Sequence, residues 1–308
     1  MFNKRQRAGS MLLGILIPLT MTISGCSSSS ASTAPTTAAG GSGATSNAAL
    51  RAQTPEAQLG GDGSFARIWQ NGLRICTTED APYDMKDAQG NWTGLDYEIV
   101  STAVAQLKIP KVSYVIGPWD SMVANLQAGR CDFLQTNIHY TAQRAAVIDF
   151  TAPVYYYADS LVVRKGDPLN LHTWQDLTGH SVGAELGDAY VDWLDKRTDI
   201  SPKTYKTWPE LFSDLSNGRL DAAIVDSTVA GYYIVQNPSA QVQLATGYVP
   251  QTDLSSWARY GVQKGDYDLA NAFSRVLDEM RVDGTLYTIL AKYGVPETAV
   301  EVFKGWQP

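Results

Sequence analysis

One stretch of this chain occurs twice. The segment from Trp119 to Asp132 is echoed by the segment from Trp208 to Asp221, at a constant offset of 89 residues. Trp119 matches Trp208, Leu126 matches Leu215, Gly129-Arg130 matches Gly218-Arg219 and Asp132 matches Asp221. Each copy then runs into an apolar strand, Phe133 to Asn137 or Ala222 to Asp226. A helix closed by glycine and followed by a strand is one structural unit, and two such units predict two similar lobes with a cleft between them. In open α/β sheets, ligands meet the carboxyl ends of the strands. Asn137 and Asp226 occupy equivalent strand ends, so they are expected to face the cleft from opposite sides, with a carboxylate on one wall only.

The pattern around the repeat supports this. From Leu73 onward, apolar strands alternate with helices. Leu73 to Thr77, Val112 to Ile116 and Phe133 to Asn137 read as strands. Asp96 to Leu107 and Asp120 to Ala128 carry apolar residues at helical spacing, and Gly129 can close the second helix. The order returns with strands at Ser181 to Leu186, Lys203 to Lys206 and Ala222 to Asp226. The helices there are Ala189 to Lys196, Pro209 to Ser216 and Val229 to Gln236, with Pro209 suited to a first turn. Tyr260 to Gln263 reads as a returning strand, and Asp268 to Arg281 and Thr285 to Tyr293 as amphipathic helices. Strands separated by helices imply mainly parallel sheets with helices on both faces. The fold class is therefore α/β: two doubly wound lobes joined by a two-strand hinge, with crossings near Tyr156–Leu161 and Thr252–Arg259. The expected division is 64–158 for lobe 1, 159–254 for lobe 2, and 255–308 returning to lobe 1.

The first residues are a targeting segment rather than part of this fold. Lys4, Arg5 and Arg7 precede an apolar run from Met11 to Met21 that is too short to span a bilayer stably. Ile23-Ser24-Gly25-Cys26 resembles a bacterial lipobox, in which Cys26 carries the lipid and becomes the mature N-terminus. Residues 1–25 are thus expected to be a lipoprotein signal peptide. Residues 26–63, rich in Ser, Thr, Ala and Gly, are expected to form a flexible tether. An acylated Cys26 would hold the protein to a membrane surface from outside the cytoplasm.

The chain has 308 residues, 44% of them hydrophobic, enough for two modest cores. A formal net charge of −7 supplies no electrostatic footprint for nucleic acid. Beyond Cys26, only Cys76 and Cys131 remain. The compartment permits a disulfide, but Cys76 lies late in one strand and Cys131 just before another, and parallel neighbours would hold those positions apart. Two free, packed thiols are expected. Gly179-His180-Ser181-Val182-Gly183 fits the G-x-S-x-G pattern, but Ser181 opens a strand where a nucleophile elbow needs the strand before it. His139, His172 and His180 lack zinc spacing. No phosphate-binding loop is present, and no cofactor or metal is expected.

The chain resembles the bacterial solute-binding proteins of the polar amino-acid uptake family (extracellular solute-binding family 3). The resemblance runs from Leu73 to Gly294. It rests on Gly94-Leu95-Asp96, the Trp119 helix through Asp132, Thr141-Ala142-Gln143-Arg144, Asp149-Phe150-Thr151, Pro153-Val154-Tyr155, Leu177-Thr178-Gly179, Gly218 to Ala222 with Asp226, and Asp283-Gly284-Thr285-Leu286. It implies a lipid-anchored substrate-binding subunit of an ABC importer, expected to be a monomer, that captures an amino acid and presents it to membrane permease subunits. Arg144 matches the carboxylate-binding arginine of the family, a role suited to a planar guanidinium, and Asp226 matches the acceptor for the α-ammonium. Trp119 matches an aromatic wall, and Tyr83 is a candidate second wall. Asn137 and His139 would border the ligand.

Departures from the family pattern leave choices open. Gly187-Asp188-Ala189 stands where glycine and hydroxyl residues usually help hold the carboxylate. Asp188 could face the ligand or cap the following helix. In the loop after Cys76 the contact falls on Thr78, Glu79 or Asp80. Surplus carboxylates at Glu79, Asp80, Glu185 and Asp188 lean the ligand toward a cationic amino acid. Two rival functions share the fold: a prephenate or arogenate dehydratase, with Glu185 or His139 as its acid, and a ligand-sensing receptor domain.

Overall fold

The computed structural model describes residues 61–296 and 298–301. The expected signal peptide, Cys26 and the tether as far as residue 60 lie outside the described residues. Residues 61–63 do not behave as tether. The amide of Gly63 donates to Asp268 Oδ2 at 2.8 Å and the Asp268 amide to Asp62 Oδ2 at 3.0 Å. These bonds pin the start of the helix Ser64–Asn71, which buries Phe65 and Ile68.

The strands in chain order are β1 (Leu73–Thr77), β2 (Met85–Lys86), β3 (Trp92–Thr93), β4 (Val112–Ile116), β5 (Phe133–Ile138), β6 (Ile148–Phe150), β7 (Tyr156–Tyr157), β8 (Asp159–Arg164), β9 (Ser181–Glu185), β10 (Ser201–Tyr205), β11 (Ala222–Asp226), β12 (Val242–Leu244), β13 (Ser256–Trp257) and β14 (Arg259–Gln263). Two five-stranded sheets result, ordered β4-β1-β5-β14-β6 and β10-β9-β11-β8-β12. They correspond position by position. In each, three parallel strands are followed by a strand that runs antiparallel to the central one, β14 beside β5 and β8 beside β11. That fourth strand is the one whose chain has just crossed from the other lobe. The crossings are β7 and β13, paired antiparallel with Tyr157 against Ser256 and Tyr156 against Trp257. The sheets are therefore less uniformly parallel than the helix–strand alternation suggests, because a chain that crosses and returns enters each sheet reversed.

Central strands β5 and β11 are buried at every residue, while edge strand β4 is half-buried and edge strand β10 largely exposed. Continuous apolar runs mark strands covered on both faces. The helices Leu95–Gln106 and Tyr267–Val282 cover one face of lobe 1, where Phe133 stacks on Phe273 at 4.2 Å. Met122–Gln127, preceded by the 3-10 turn Trp119–Ser121, covers the other. The second copy, Trp208–Ser216, starts with Pro209 in its first turn and with Thr207 capping the amide of Glu210.

The repeated residues have repeated jobs. Gly129 and Gly218 end their helices with φ of 67° and 73°, a conformation glycine adopts without steric cost. Arg130 bonds back to Asn125, and Arg219 to the equivalent Asp214. Asp132 receives the amide and guanidinium of Arg74, which lies near the start of β1. Asp221 receives the amide and hydroxyl of Ser181, which opens β9. Each aspartate thus ties the entry of the central strand to its parallel neighbour and fixes register.

Cys76 and Cys131 form a disulfide with Cα atoms 5.6 Å apart, which overturns the expectation of free thiols. Parallel register sets Cys76 against Leu134, so a strand extended straight backward would carry Cys131 away. Instead the turn after Gly129 brings Cys131 over the sheet face, into the layer under Met122 and Leu126, where both cysteines are fully buried.

Candidate functional site

The loop between β1 and β3 delivers the first wall of the cleft. Gly94 has φ of 121°, and a Cβ there would lie 2.3 Å from the Tyr83 carbonyl oxygen. Only glycine lets the helix Leu95–Gln106 dock so close, and its first amides then hold the loop: Leu95 N donates to Pro82 O at 2.8 Å and Asp96 N to Tyr83 O at 3.0 Å. The buried Asp96 carboxylate accepts the Asn137 amide at 2.7 Å and the hydroxyls of Tyr155 and Tyr260. Tyr83 and Asn137 are positioned by this interior network rather than by the surface.

Asn137 and Asp226 meet across the cleft, Asn137 Nδ2 to Asp226 Oδ2 at 3.1 Å. Tyr83 donates to the same oxygen at 2.8 Å and Tyr190 to Asp226 Oδ1 at 2.7 Å. Tyr83 also bonds Thr228. Burial, with the negative charge of Asp188 second, pushes the Asp226 carboxyl well above the usual range, against the opposing hydrogen bonds of Tyr190 and Tyr83. A buried carboxylate held by hydroxyl and amide donors is well suited to exchange one of them for an ammonium group.

The cavity beside Asp226 is about 30 Å³, lined by Asp80, Tyr83, Trp119, Asn137, His139, Glu185, Asp188 and Trp208 among others. That volume suits a water or two; an amino acid enters only when the lobes part. Trp119 and Trp208, the first residues of the two repeat copies, both line it. Trp208 and Tyr190 are site residues that the sequence did not single out as ligand contacts, although for Trp208 the repeat carried the signal.

Arg144 sits at the rim. Thr141 caps its helix, accepting the Arg144 amide at 3.1 Å, and the guanidinium lies 5.2 Å from the centre of the Trp119 ring. It donates to the carbonyls of His139 and, from the other lobe, Gly187, both at 2.8 Å. Arg144, Gly187 and Ala189 line an adjoining depression of about 410 Å³ that Trp119 and Asp188 share with the cavity beside Asp226. Gly187, which stands where the family helps hold the ligand carboxylate, presents its carbonyl to Arg144. Asp188 makes no side-chain capping bond and lies inward; burial raises its carboxyl while Arg144 opposes the rise.

Gly187 marks where the lobes touch. Its φ is 85°, and a Cβ would stand 2.9 Å from the Asp120 Cα of the opposite lobe. His139 is buried against Tyr157 and Tyr190, and burial, with Arg144 adding to it, lowers its imidazole to about 4. It is neutral at physiological pH. In the loop after Cys76, Thr78 and Asp80 reach the cavity. Glu79 does not: it is exposed and pairs with Lys86 at 3.6 Å, a correction to its expected place beside the ligand. Among the described residues no group of side chains could hold a metal ion, and no helix is long and apolar enough to cross a membrane.

Known proteins share this fold. The model for bacterial extracellular solute-binding proteins, family 3, matches residues 73–296. The lysine/arginine/ornithine-binding periplasmic protein of Escherichia coli (strain K12) is 29% identical over 229 residues, which is 72% of this chain and 86% of that protein. An ancestral arginine-binding protein solved with arginine has a TM-score of 0.65 and 29% identity, covering 72% of this chain and 97% of that one. An ancestral amino acid-binding protein described as a precursor of cyclohexadienyl dehydratase has a TM-score of 0.67 and 26% identity, covering 75% and 99%. With two hinged α/β lobes, a cleft at their strand ends and a family match across nearly all of the described residues, the chain belongs to the bacterial extracellular solute-binding proteins, family 3.

Proposed function

We propose that this protein captures an amino acid in the cleft between its lobes and delivers it to the permease of an ABC importer. The observation that carries the reading is the opposition of charge across one cleft. Arg144 stands on lobe 1 and Asp226 on lobe 2, each already bonded to the other lobe. A zwitterion offers a carboxylate to the first and an ammonium to the second, so binding links the lobes and selects the closed form. Trp119, Tyr83, Asn137 and His139 would pack around it. Relatives named as periplasmic binding proteins support an extracytoplasmic site of action, and Cys26 supplies the lipid anchor. The surplus of carboxyls leans the ligand toward a cationic amino acid.

Isothermal calorimetry with an amino-acid panel tests this. At least one amino acid should bind, and Arg144→Ala should lose it. Binding at full affinity by Arg144→Ala would remove the proposed carboxylate site. A mature N-terminus at an acylated Cys26, read by mass spectrometry and lost in Cys26→Ser, tests the anchor.

A dehydratase reading has one observation in its favour. Burial, then the neighbouring Asp80 carboxylate, raises Glu185 to about 10, so it is protonated at neutral pH as a general acid must be. Turnover of prephenate by the purified protein would establish that reading, and its absence would leave binding alone.

A further inference from the structure

Three carboxyls line the cleft besides Asp226: Asp188, which the charge of Arg144 reaches, and two that Arg144 does not serve, Glu185 and Asp80. Glu185 ends β9 in lobe 2, is 3% exposed, and its Oε1 is buried with no hydrogen-bond partner. Asp80, in the loop after β1 of lobe 1, lines the same cavity. The charges that act most on Glu185 are all acidic: Asp80 from the facing loop, Asp188 from the next turn, Asp226 from the end of β11 and Asp120 from the 3-10 turn of lobe 1. Arg144 lies at the rim, where it acts on Asp188 and His139. A buried carboxyl with an orphaned oxygen among other carboxyls costs stability unless something it binds supplies the missing donor and charge.

We propose that Glu185 and Asp80, one from each lobe, form a second clamp that grips a cationic group at the far end of the ligand side chain, so that the protein closes on dibasic amino acids in preference to neutral ones. The clamp rests on the reading of the cleft as an amino-acid site. It gives a dibasic ligand two pairs of cross-lobe contacts, Arg144 with Asp226 and Asp80 with Glu185, where a neutral ligand has one. It also links binding to protons. Burial keeps Glu185 protonated at neutral pH and raises Asp80 as well; a cation placed beside them favours the ionised forms. A dibasic ligand should therefore release more protons as it binds than a neutral one, whose α-ammonium acts on Asp226 alone.

The test is calorimetry of the full-length protein at neutral pH with arginine, lysine and glutamine, in two buffers of different ionisation enthalpy. The wild type should prefer the dibasic ligands and release more protons with them than with glutamine. Glu185→Gln should weaken dibasic binding about thirtyfold, remove that excess proton release and leave glutamine binding within about threefold. Asp80→Asn, in a loop, should shift the preference the same way and carries the comparison should Glu185→Gln fail to fold. Dibasic binding unchanged in these variants, or lost in parallel with glutamine, would overturn the clamp. Wild-type binding that depends on Arg144 but ignores side-chain charge would overturn the clamp and leave the amino-acid site standing. A wild type that binds no amino acid would overturn both.

Discussion

The two walls of the cleft are built alike and finished differently. In both lobes a tryptophan opens the facing helix, a glycine ends it, and an aspartate ties the central strand to its neighbour through Arg74 or Ser181. Yet the strand tips diverge. Lobe 1 presents Asn137, His139 and Arg144, neutral or positive, with Asp80 as an acidic exception, while lobe 2 presents Glu185, Asp188 and Asp226. Residues that repeat make the scaffold, and residues that do not repeat make the chemistry. A nearly symmetric frame can hold an asymmetric ligand in one orientation because a few tip residues break the symmetry of charge.

The same contrast runs beneath the walls. Register pairs Cys76 with Leu134 in lobe 1 and Gly183 with Ala223 in lobe 2. Cys76 and Cys131 therefore correspond to Gly183 and Leu220. Lobe 1 spans that gap with a disulfide. Lobe 2 fills it with Leu220, which lies so close over Gly183 that a Cβ there would stand 2.6 Å from a Leu220 methyl. The largest expected effect tests this equivalence. Opening the disulfide, which closes a separation of 55 residues, with Cys76→Ser and Cys131→Ser should cost about 4 kcal/mol in denaturant unfolding. The pair Cys76→Gly with Cys131→Leu, which copies lobe 2 into lobe 1, should recover part of that loss. No recovery would break the structural correspondence.

A smaller effect is expected where the walls touch. Gly187→Ala introduces a left-handed alanine and a contact with Asp120. The closed form should lose about 2 kcal/mol, seen as roughly thirtyfold weaker ligand binding by calorimetry. Unchanged affinity would mean that the lobes do not close on this contact.

The effect of pH is the smallest when taken per unit. Burial in the closed cleft raises Glu185 from its ordinary value of 4.5 to about 10. Opening returns it to water and toward that ordinary value. Closure of the ligand-free protein is therefore most favoured below about pH 4.5 and weakens as pH rises toward 10, by at most about 1.4 kcal/mol per unit for one group. His139 opposes this only where it protonates, so above pH 7 the carboxyls of the cleft act without it. Small-angle scattering should find a larger radius of gyration at pH 9 than at pH 7 without ligand. A radius independent of pH would show that the acidic wall does not resist closure.

Much of this was legible in the sequence because periodicity and repetition are strong signals. The 89-residue offset between Asn137 and Asp226 survives as a hydrogen bond between them. What escaped depended on the third dimension. The disulfide needs Cys131 lifted off the line of its strand, which strand spacing cannot express, although its counterpart Leu220 over Gly183 held a hint. Glu79, Thr78 and Asp80 could not be separated, since neighbouring loop residues point in directions set by packing against Gly94 and Tyr83. The inward turn of Asp188 and the carbonyl at Gly187 depend on contact between lobes, which no local pattern encodes.

The assignment of the acidic wall to the ligand ammonium is tested most directly by one titration. The best amino-acid ligand and its analogue lacking the α-amino group should be measured by calorimetry against the wild type and Asp226→Asn. The wild type should bind the amino acid far more tightly than the deaminated analogue, and Asp226→Asn should bind the two nearly equally. An Asp226→Asn variant that keeps the wild-type preference would contradict the assignment of Asp226 to the ligand ammonium.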